Sequence, residues 1–296
     1  MTVKRLRVDD LSQFDTFLFD ADGVLWRGSN TVPGSVEFIE DLRKKGKQVY
    51  VITNNSTKTR PQYQKKLMGM GFNFPENHII SPGITLPSYL KDNGYEGKKI
   101  YLIGTPSLRD SLEDIAGVKC IGLGPDHFDE LTDGDFLFDV RNEENVAAVV
   151  IGFDGHFSYP KLMRAANYLK EADCGYFITN EDYTFPGPCS DIVVPGTGCI
   201  TASVRAVTDR EPLVFGKPHS TVAEYLQRHG KIDASRTIMF GDRLDTDILF
   251  ANRNGFSSCL MLTGIHSLDT VERAIAEEQF DMVPQYQFSF APFAGR

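Results

Sequence analysis

Short, continuously apolar runs recur along this chain, and each gives way to a polar or glycine-containing turn and then a helix-like segment. The runs are "TFLF" (16–19), "QVYVIT" (48–53), "KIYLIG" (99–104), "VAAVVIGF" (146–153), "GYFIT" (175–179), "LVFG" (213–216), "TIMFG" (237–241) and "SCLMLTG" (258–264). An unbroken apolar run suits a strand covered on both faces, as in a parallel sheet; a half-exposed strand would alternate. Between the runs lie helical patterns such as "SVEFIEDLRKKG" (35–46), closed by Gly46, and "KLMRAANYLKEA" (161–172). Strand, helix and strand in repetition predict an α/β chain with doubly wound parallel sheets.

A length of 296 residues exceeds the usual single compact core, so two domains are expected. A net charge of −9 argues against a nucleic-acid partner, which needs a surplus of Lys and Arg, but leaves room for a small anion in one positive pocket. No apolar run approaches the roughly 20 residues of a membrane span, and "MTVKRLRVDDLSQFD" has no apolar stretch after its basic residues, so neither a membrane nor a secretory signal is expected. Cys120, Cys174, Cys189, Cys199 and Cys259 are odd in number and scattered, which disfavours a disulfide framework or a zinc site and points to a reducing cytoplasm.

Polar clusters sit unevenly on this scaffold. "DADG" (20–23), "TNNS" (53–56), "GKP" (216–218) and "GDRLDTD" (241–247) each follow directly on a strand run, whereas the stretch from about 99 to 180 carries less obvious chemistry. "LGPDHFDELTDGD" (123–135) and "TFPGPCSDIVVPGTGC" (184–199) read as loops. Residues 96–210 are therefore expected to form an insertion between two halves of a catalytic domain, 1–95 and 211–296. Ligands of open parallel sheets bind beyond the carboxyl ends of the strands, so four decorated strand ends can serve one site.

Each cluster also has a plainer reading. Asp20 and Asp22 suit a solvated turn as well as a cation or a shared proton; an EF-hand fails because Val24 and Thr31 fall where an oxygen donor and the final Glu are needed. Thr53, Asn54 and Asn55 suit a turn or helix cap as well as a phosphate cradle. Lys217, straight after an apolar strand, suits an anion or carboxylate better than open water. Asp242, Asp245 and Asp247 suit helix caps as well as a metal site.

In that order, "DADGV", "TNN", "GKP" and "GDRLDTD" resemble the four motifs of the haloacid dehalogenase-like phosphatases. "FDADGVLWRG", "VITNNS", "FSYPKL", "VPGTGC" and "GDRLDTDILFA" extend the similarity over essentially the whole chain, toward the branch holding 2-phosphoglycolate phosphatase, pyridoxal phosphatase and 4-nitrophenylphosphatase. The resemblance implies a doubly wound core with a large inserted α/β cap of the C2 type. It implies Asp20 as nucleophile, Asp22 as general acid and base, and Mg²⁺ held by the side chains of Asp20 and Asp242 with the backbone carbonyl of Asp22. It implies that Thr53, Asn54, Asn55 and Lys217 hold phosphate, that Asp247 supports the metal site or Lys217, and that the chain pairs as a homodimer through the cap.

The implied substrate is a small phosphorylated metabolite, 2-phosphoglycolate or a broader set that includes 4-nitrophenyl phosphate. The stretch 179–191 is the implied specificity loop. Phe185 stands there near the position of a pyridine-contacting His in pyridoxal phosphatases, a departure that weighs against pyridoxal 5′-phosphate. A phosphopeptide phosphatase and a silent scaffold on the same fold are the other readings; the retention of Asp20, Asp22, Lys217 and Asp242 weighs against the scaffold. Arg60, Arg141 and Lys161 are surface charges or contacts for a substrate carboxylate. His127, His156 and His219 lack ligand spacing, Met68 and Met70 read as packing residues, and Trp26 reads as an aromatic of the core or of a flap near the site.

Overall fold

The structure is a computed structural model and describes residues 3–126, 137, 140–185 and 191–295. The chain divides into two compact units: Met1–Thr53, Arg60–Ser81 and Lys217–Arg296 in the first, Asn54–Thr59 and Pro82–Gly216 in the second.

The first unit is built on a seven-stranded, wholly parallel sheet. Its order is Lys4–Arg5, Tyr286–Phe288, Ser257–Met261, Thr237–Gly241, Thr16–Phe19, Gln48–Ile52 and Ile79–Ile80. From Thr16–Phe19 the chain winds outward one way, and from Thr237–Gly241 it winds the other way. The strand order therefore reverses between these two neighbours, the place where sheets of this type open a crevice for ligands. Side chains alternate across the sheet. Phe17, Phe19 and Phe240 enter one apolar cluster with Phe38 and Trp26, while Leu18, Tyr50, Ile52 and Met239 enter another on the opposite face with Val222 and Phe250. All four residues of Thr16–Phe19 are buried. At about 1.5–3 kcal/mol for each large apolar side chain removed from water, such strands bind their place in the sheet strongly.

The second unit repeats the plan with five parallel strands, in the order Leu213–Val214, Gly175–Ile178, Val146–Ile151, Lys99–Ile103 and Lys119–Ile121, again between two apolar clusters. Helix Pro106–Ala116 shows why its ends fall where they do: the Thr105 side chain accepts a hydrogen bond from Leu108 N, and Gly117 closes the helix with a φ of 65°.

All eight apolar runs form strands, and the α/β class follows from them. Four details differ from expectation. Leu213–Val214 pairs with Gly175–Ile178 in the second sheet, so Lys217 is not delivered by a strand of the first. In the stretch 184–199, Thr184–Phe185 and Val194–Pro195 pair as short antiparallel strands and a helix starts at Thr197, because alternating Thr, Phe and Val still find a ladder there. The helix expected over 161–172 runs Tyr159–Tyr168, its first turn capped by Ser158. Met68 is 60% exposed rather than packed, whereas Met70 does lie against the core. Among the described residues no helix is long and apolar enough to cross a membrane, and Cys120, Cys174, Cys199 and Cys259 are free. His127 and Cys189 lie outside the described residues.

Candidate active site

Thr16–Phe19 and Thr237–Gly241 run in register, Phe19 beside Phe240, and Asp20 N donates to Phe240 O at 2.9 Å. Asp20 and Asp242 therefore leave neighbouring strands at almost the same level. Lys217 is drawn to that level from a distant part of the chain. Its Nζ lies 2.6 Å from Asp20 Oδ1, 2.6 Å from Asp247 Oδ1 and 3.0 Å from Ile52 O. These three acceptors match the three donors of an ammonium group.

Asp247 is held as firmly as Lys217. Its Oδ2 accepts from the backbone N–H groups of Asp242 and Arg243, both at 3.1 Å. Asp242 Oδ2 in turn accepts from Ile265 N at 2.8 Å. The carboxylates of Asp20, Asp242 and Asp247 lie within 4.8 Å of one another, and Asp242 and Asp247 are buried. Asp245 stands apart from this trio and is spent on Arg243 through contacts of 3.0 and 2.7 Å.

Three carboxylates against one ammonium leave two negative charges in a buried space. Burial pushes the Asp20 carboxyl well above its ordinary range; Lys217 opposes the rise, and Asp247 and Asp242 add to it. Burial and then Asp247 push Asp242 up to about 7. Burial works to lower the Lys217 ammonium, but Asp20 and Asp247 outweigh it and leave it raised. A divalent cation would cancel the excess charge, and an all-oxygen donor set suits a hard ion such as Mg²⁺. The residues present thus fit such an ion.

Asp22 takes a different environment one residue beyond Ala21. Its Oδ1 accepts from Trp26 Nε1 at 2.6 Å, within a turn that Gly23 permits by adopting a φ of 87°. Thr53 is buried, donates through its N–H to Ile80 O at 3.0 Å and is hydrogen-bonded to the buried phenol of Tyr63. Burial raises that phenol, and nearby Asp22 raises it further.

Asn54, Asn55 and Phe185 belong to the second unit. Asn54 Nδ2 donates to Asp182 Oδ2 at 3.2 Å, and its carbonyl accepts from Asn180. Asn55 Oδ1 accepts from Thr57 N and Oγ1 at 2.9 and 2.7 Å, the local turn that Asn commonly builds. Phe185 packs edge-on against Phe153, while 186–190 of the expected specificity loop lie outside the described residues. Lys161, expected at the surface, is wholly buried in an ion pair with Asp154 at 2.5 Å. Arg60 bonds Ile79 O and Tyr225 Oη, and Arg141 contacts Val140 O.

Sequence reasoning missed the small residues around Asp242. A Cβ added at Gly264 or Gly23 would overlap the Asp242 carboxylate, so that side chain occupies space only glycine leaves. Thr263 Oγ1 closes the same corner by donating to Gly23 O at 2.7 Å, and His266 Nδ1 accepts from Leu244 N at 2.8 Å. The "LTG" ending of the run at 258–264 was the one available signal.

A family model described as haloacid dehalogenase-like hydrolase matches residues 17–118, and a second model of HAD-like hydrolases matches 214–286. The chain is 39% identical over 269 residues to glycerol-3-phosphate phosphatase of Rattus norvegicus, covering 88% of this chain and 83% of that protein. It is 36% identical to the chloroplastic phosphoglycolate phosphatase 1A of Arabidopsis thaliana, over 88% of this chain and 72% of that one. A putative NipSnap protein of Caenorhabditis elegans is 51% identical over 86% of this chain, which spans only 49% of that relative's length. Among solved structures, 4-nitrophenylphosphatase of Thermotoga maritima superposes with a TM-score of 0.77 at 29% identity, over 94% of this chain and 95% of that one. The chain belongs to the haloacid dehalogenase-like hydrolases, among their phosphoric monoester hydrolases.

Proposed function

We propose that this chain is a Mg²⁺-dependent phosphatase of small aliphatic phosphate monoesters that works through an aspartyl phosphate on Asp20. The observation that carries the reading is the Lys217 ammonium held between Asp20 and Asp247, beside a third buried carboxylate. Asp20, Asp242 and the carbonyl of Asp22 are the groups to hold the cation. When bound, Mg²⁺ supplies positive charge that lets anionic nucleophile and anionic phosphoryl group approach.

Lys217 aims Asp20, since its ammonium donates to Oδ1, and opposes the rise that burial gives that carboxyl. Asp20 then attacks phosphorus, and the bond to the leaving oxygen breaks. Asp22 gives that oxygen its proton and afterwards takes one from the water that cleaves the acyl phosphate. Thr53, steadied by Tyr63, offers a hydroxyl beside the same strand ends. Most of the acceleration in such a scheme is positioning and charge stabilisation, which suits a reaction with little other covalent chemistry for the protein to perform.

The second unit, most of which is inserted between Ser81 and Lys217, is the proposed selector of substrate, with Phe185 the first residue to vary. Glycerol 3-phosphate and 2-phosphoglycolate, which name the related phosphatases, set the expected size of substrate. The test is phosphate release from these two, from pyridoxal 5′-phosphate, from 4-nitrophenyl phosphate and from a phosphopeptide, with Mg²⁺ and with chelator. The reading expects kcat/KM to be highest for a two- or three-carbon phosphate and to vanish on chelation. Equal turnover after chelation, or a preference for the phosphopeptide, would overturn it.

A further inference from the structure

Trp26 is the sole tryptophan of the chain, and no part of its ring meets water. A buried indole N–H needs an acceptor. Here it takes a carboxylate oxygen, Asp22 Oδ1 at 2.6 Å, rather than the backbone carbonyls that usually serve. The arrangement is rigid on both sides. Trp26 N donates to Ala21 O and Gly23 N donates to Trp26 O at 2.7 Å, so the turn carrying Asp22 is tied to the backbone that carries the indole. The ring packs near Phe72, with centroids 6.3 Å apart, and Lys66 Nζ sits 4.2 Å from the ring centroid on its face. A cation over an indole draws electron density from the ring and makes its N–H a stronger donor.

We infer that Trp26 is the positioning residue of Asp22: its N–H fixes Oδ1 as an acceptor and leaves Oδ2 as the oxygen that carries the proton. This inference rests on the reading of Asp22 as acid and base. The chemistry follows from which oxygen of a carboxyl group accepts well. In a protonated carboxyl the carbonyl oxygen is the better acceptor and the hydroxyl oxygen the poorer, so a donor locked on Oδ1 places the proton on Oδ2. In the first step the Oδ2–H bond breaks and the proton goes to the leaving oxygen, which has just taken the electron pair of its bond to phosphorus. In the second step the same oxygen receives a proton from the attacking water. Without the indole, the carboxyl is free to turn and either oxygen can carry the proton.

The test uses the full chain with Mg²⁺, on Trp26→Phe, Lys66→Met, Asp22→Asn and Asp22→Ala. 4-Nitrophenyl phosphate has a leaving group that departs without a proton, so its first burst of nitrophenolate bypasses Asp22. For Trp26→Phe the burst rate and kcat/KM for 4-nitrophenyl phosphate are expected near wild type, while steady turnover of 4-nitrophenyl phosphate and glycerol 3-phosphate falls about tenfold, part of the 10²–10⁴ that a general acid or base contributes. Lys66→Met, which leaves the buried packing intact, is expected to lower steady turnover about twofold and serves in place of Trp26→Phe should that variant not fold. The single indole N–H cross-peak of ¹⁵N-labelled protein is expected to move upfield in Asp22→Ala and, by less, in Lys66→Met. Wild-type steady turnover in Trp26→Phe, or an indole peak unmoved by Asp22→Ala, would overturn the inference. Wild-type turnover of glycerol 3-phosphate by Asp22→Asn would instead overturn the reading of Asp22 on which it rests.

Discussion

Lys217 Nζ lies 2.6 Å from Asp20 Oδ1 although the two residues are 197 apart in the chain, and its side chain is only 2% exposed. A buried ammonium in that position is as much part of the fold as of the chemistry. Removing one partner of a buried ion pair leaves the other uncompensated, at a cost of about 3–5 kcal/mol. Lys217→Met is therefore expected to lower unfolding stability by that order in urea, and to abolish phosphate release. Saturating Mg²⁺ is expected to return part of the lost stability, since the cation neutralises the carboxylates that the lysine served. Unchanged stability would show that Asp20 and Asp247 do not depend on the lysine.

Asp20→Asn separates chemistry from folding in the opposite sense. Burial and two neighbouring carboxylates raise the Asp20 carboxyl well above its ordinary range, so its charge is a burden on the metal-free fold. Its amide replacement is expected to melt no lower than wild type in chelator, while turnover falls by on the order of 10⁴-fold or more, as expected for loss of a nucleophile. Thermal melts in chelator, together with release of phosphate from 4-nitrophenyl phosphate, check both halves.

How much of this site is legible in the sequence depends on the distance over which each residue works. Asp20 and Asp242 stand directly after the apolar runs 16–19 and 237–241, so their place at strand ends is readable from the order of residues alone, and Asp247 follows in the helical turn Leu244–Ile248. Trp26 is not readable in the same way. A lone aromatic after "DGVL" looks like any core residue, and only the turn at Gly23 brings its N–H to Asp22. Tyr63 reaches Thr53 from the helix Arg60–Gly69, whose apolar residues are too sparse to reveal the buried face. Edge strands such as Lys4–Arg5 and Ile79–Ile80 escape notice because two residues carry no period. Lys161 misleads because nothing in its own helix announces Asp154, the partner that makes its burial tolerable.

The buried carboxylates predict how stability changes with pH in the absence of metal. Burial and Asp247 raise Asp242 from its ordinary 3.8 to about 7, so across that interval the folded protein holds a proton that the unfolded chain has lost. Stability contributed by this group is present below the ordinary value and is lost as pH rises through about 7, at up to about 1.4 kcal/mol per pH unit. His78 acts the other way, because burial depresses it from 6.5 and its contribution is lost as pH falls. The difference between wild type and Asp242→Asn cancels His78. In chelator that difference is expected to fall from pH 5 to 7 and to flatten by about pH 8; with saturating Mg²⁺ it is expected to lose its slope, because the cation holds Asp242 ionised. A slope of the opposite sign would show that Asp242 is ionised throughout the metal-free range.

Gly264 tests the site through a residue with no functional group of its own. Its backbone approaches Asp242 so closely that a methyl group would overlap the carboxylate, while Ile265 N fixes Asp242 Oδ2 at 2.8 Å from the other side. The neighbour cannot yield without losing that hydrogen bond or its distance from Asp20 and Asp247. Gly264→Ala is therefore expected to fold, with its apolar clusters intact, but to bind Mg²⁺ more weakly and to lose on the order of 100-fold in turnover, the scale of a displacement of about 1 Å at a reacting group. Mg²⁺ titration of turnover checks the mechanism. A variant that recovers turnover at high Mg²⁺ has lost affinity by displacement of Asp242, whereas one whose Mg²⁺ dependence and turnover match wild type would show that the close approach at Gly264 does not govern the placement of that carboxylate.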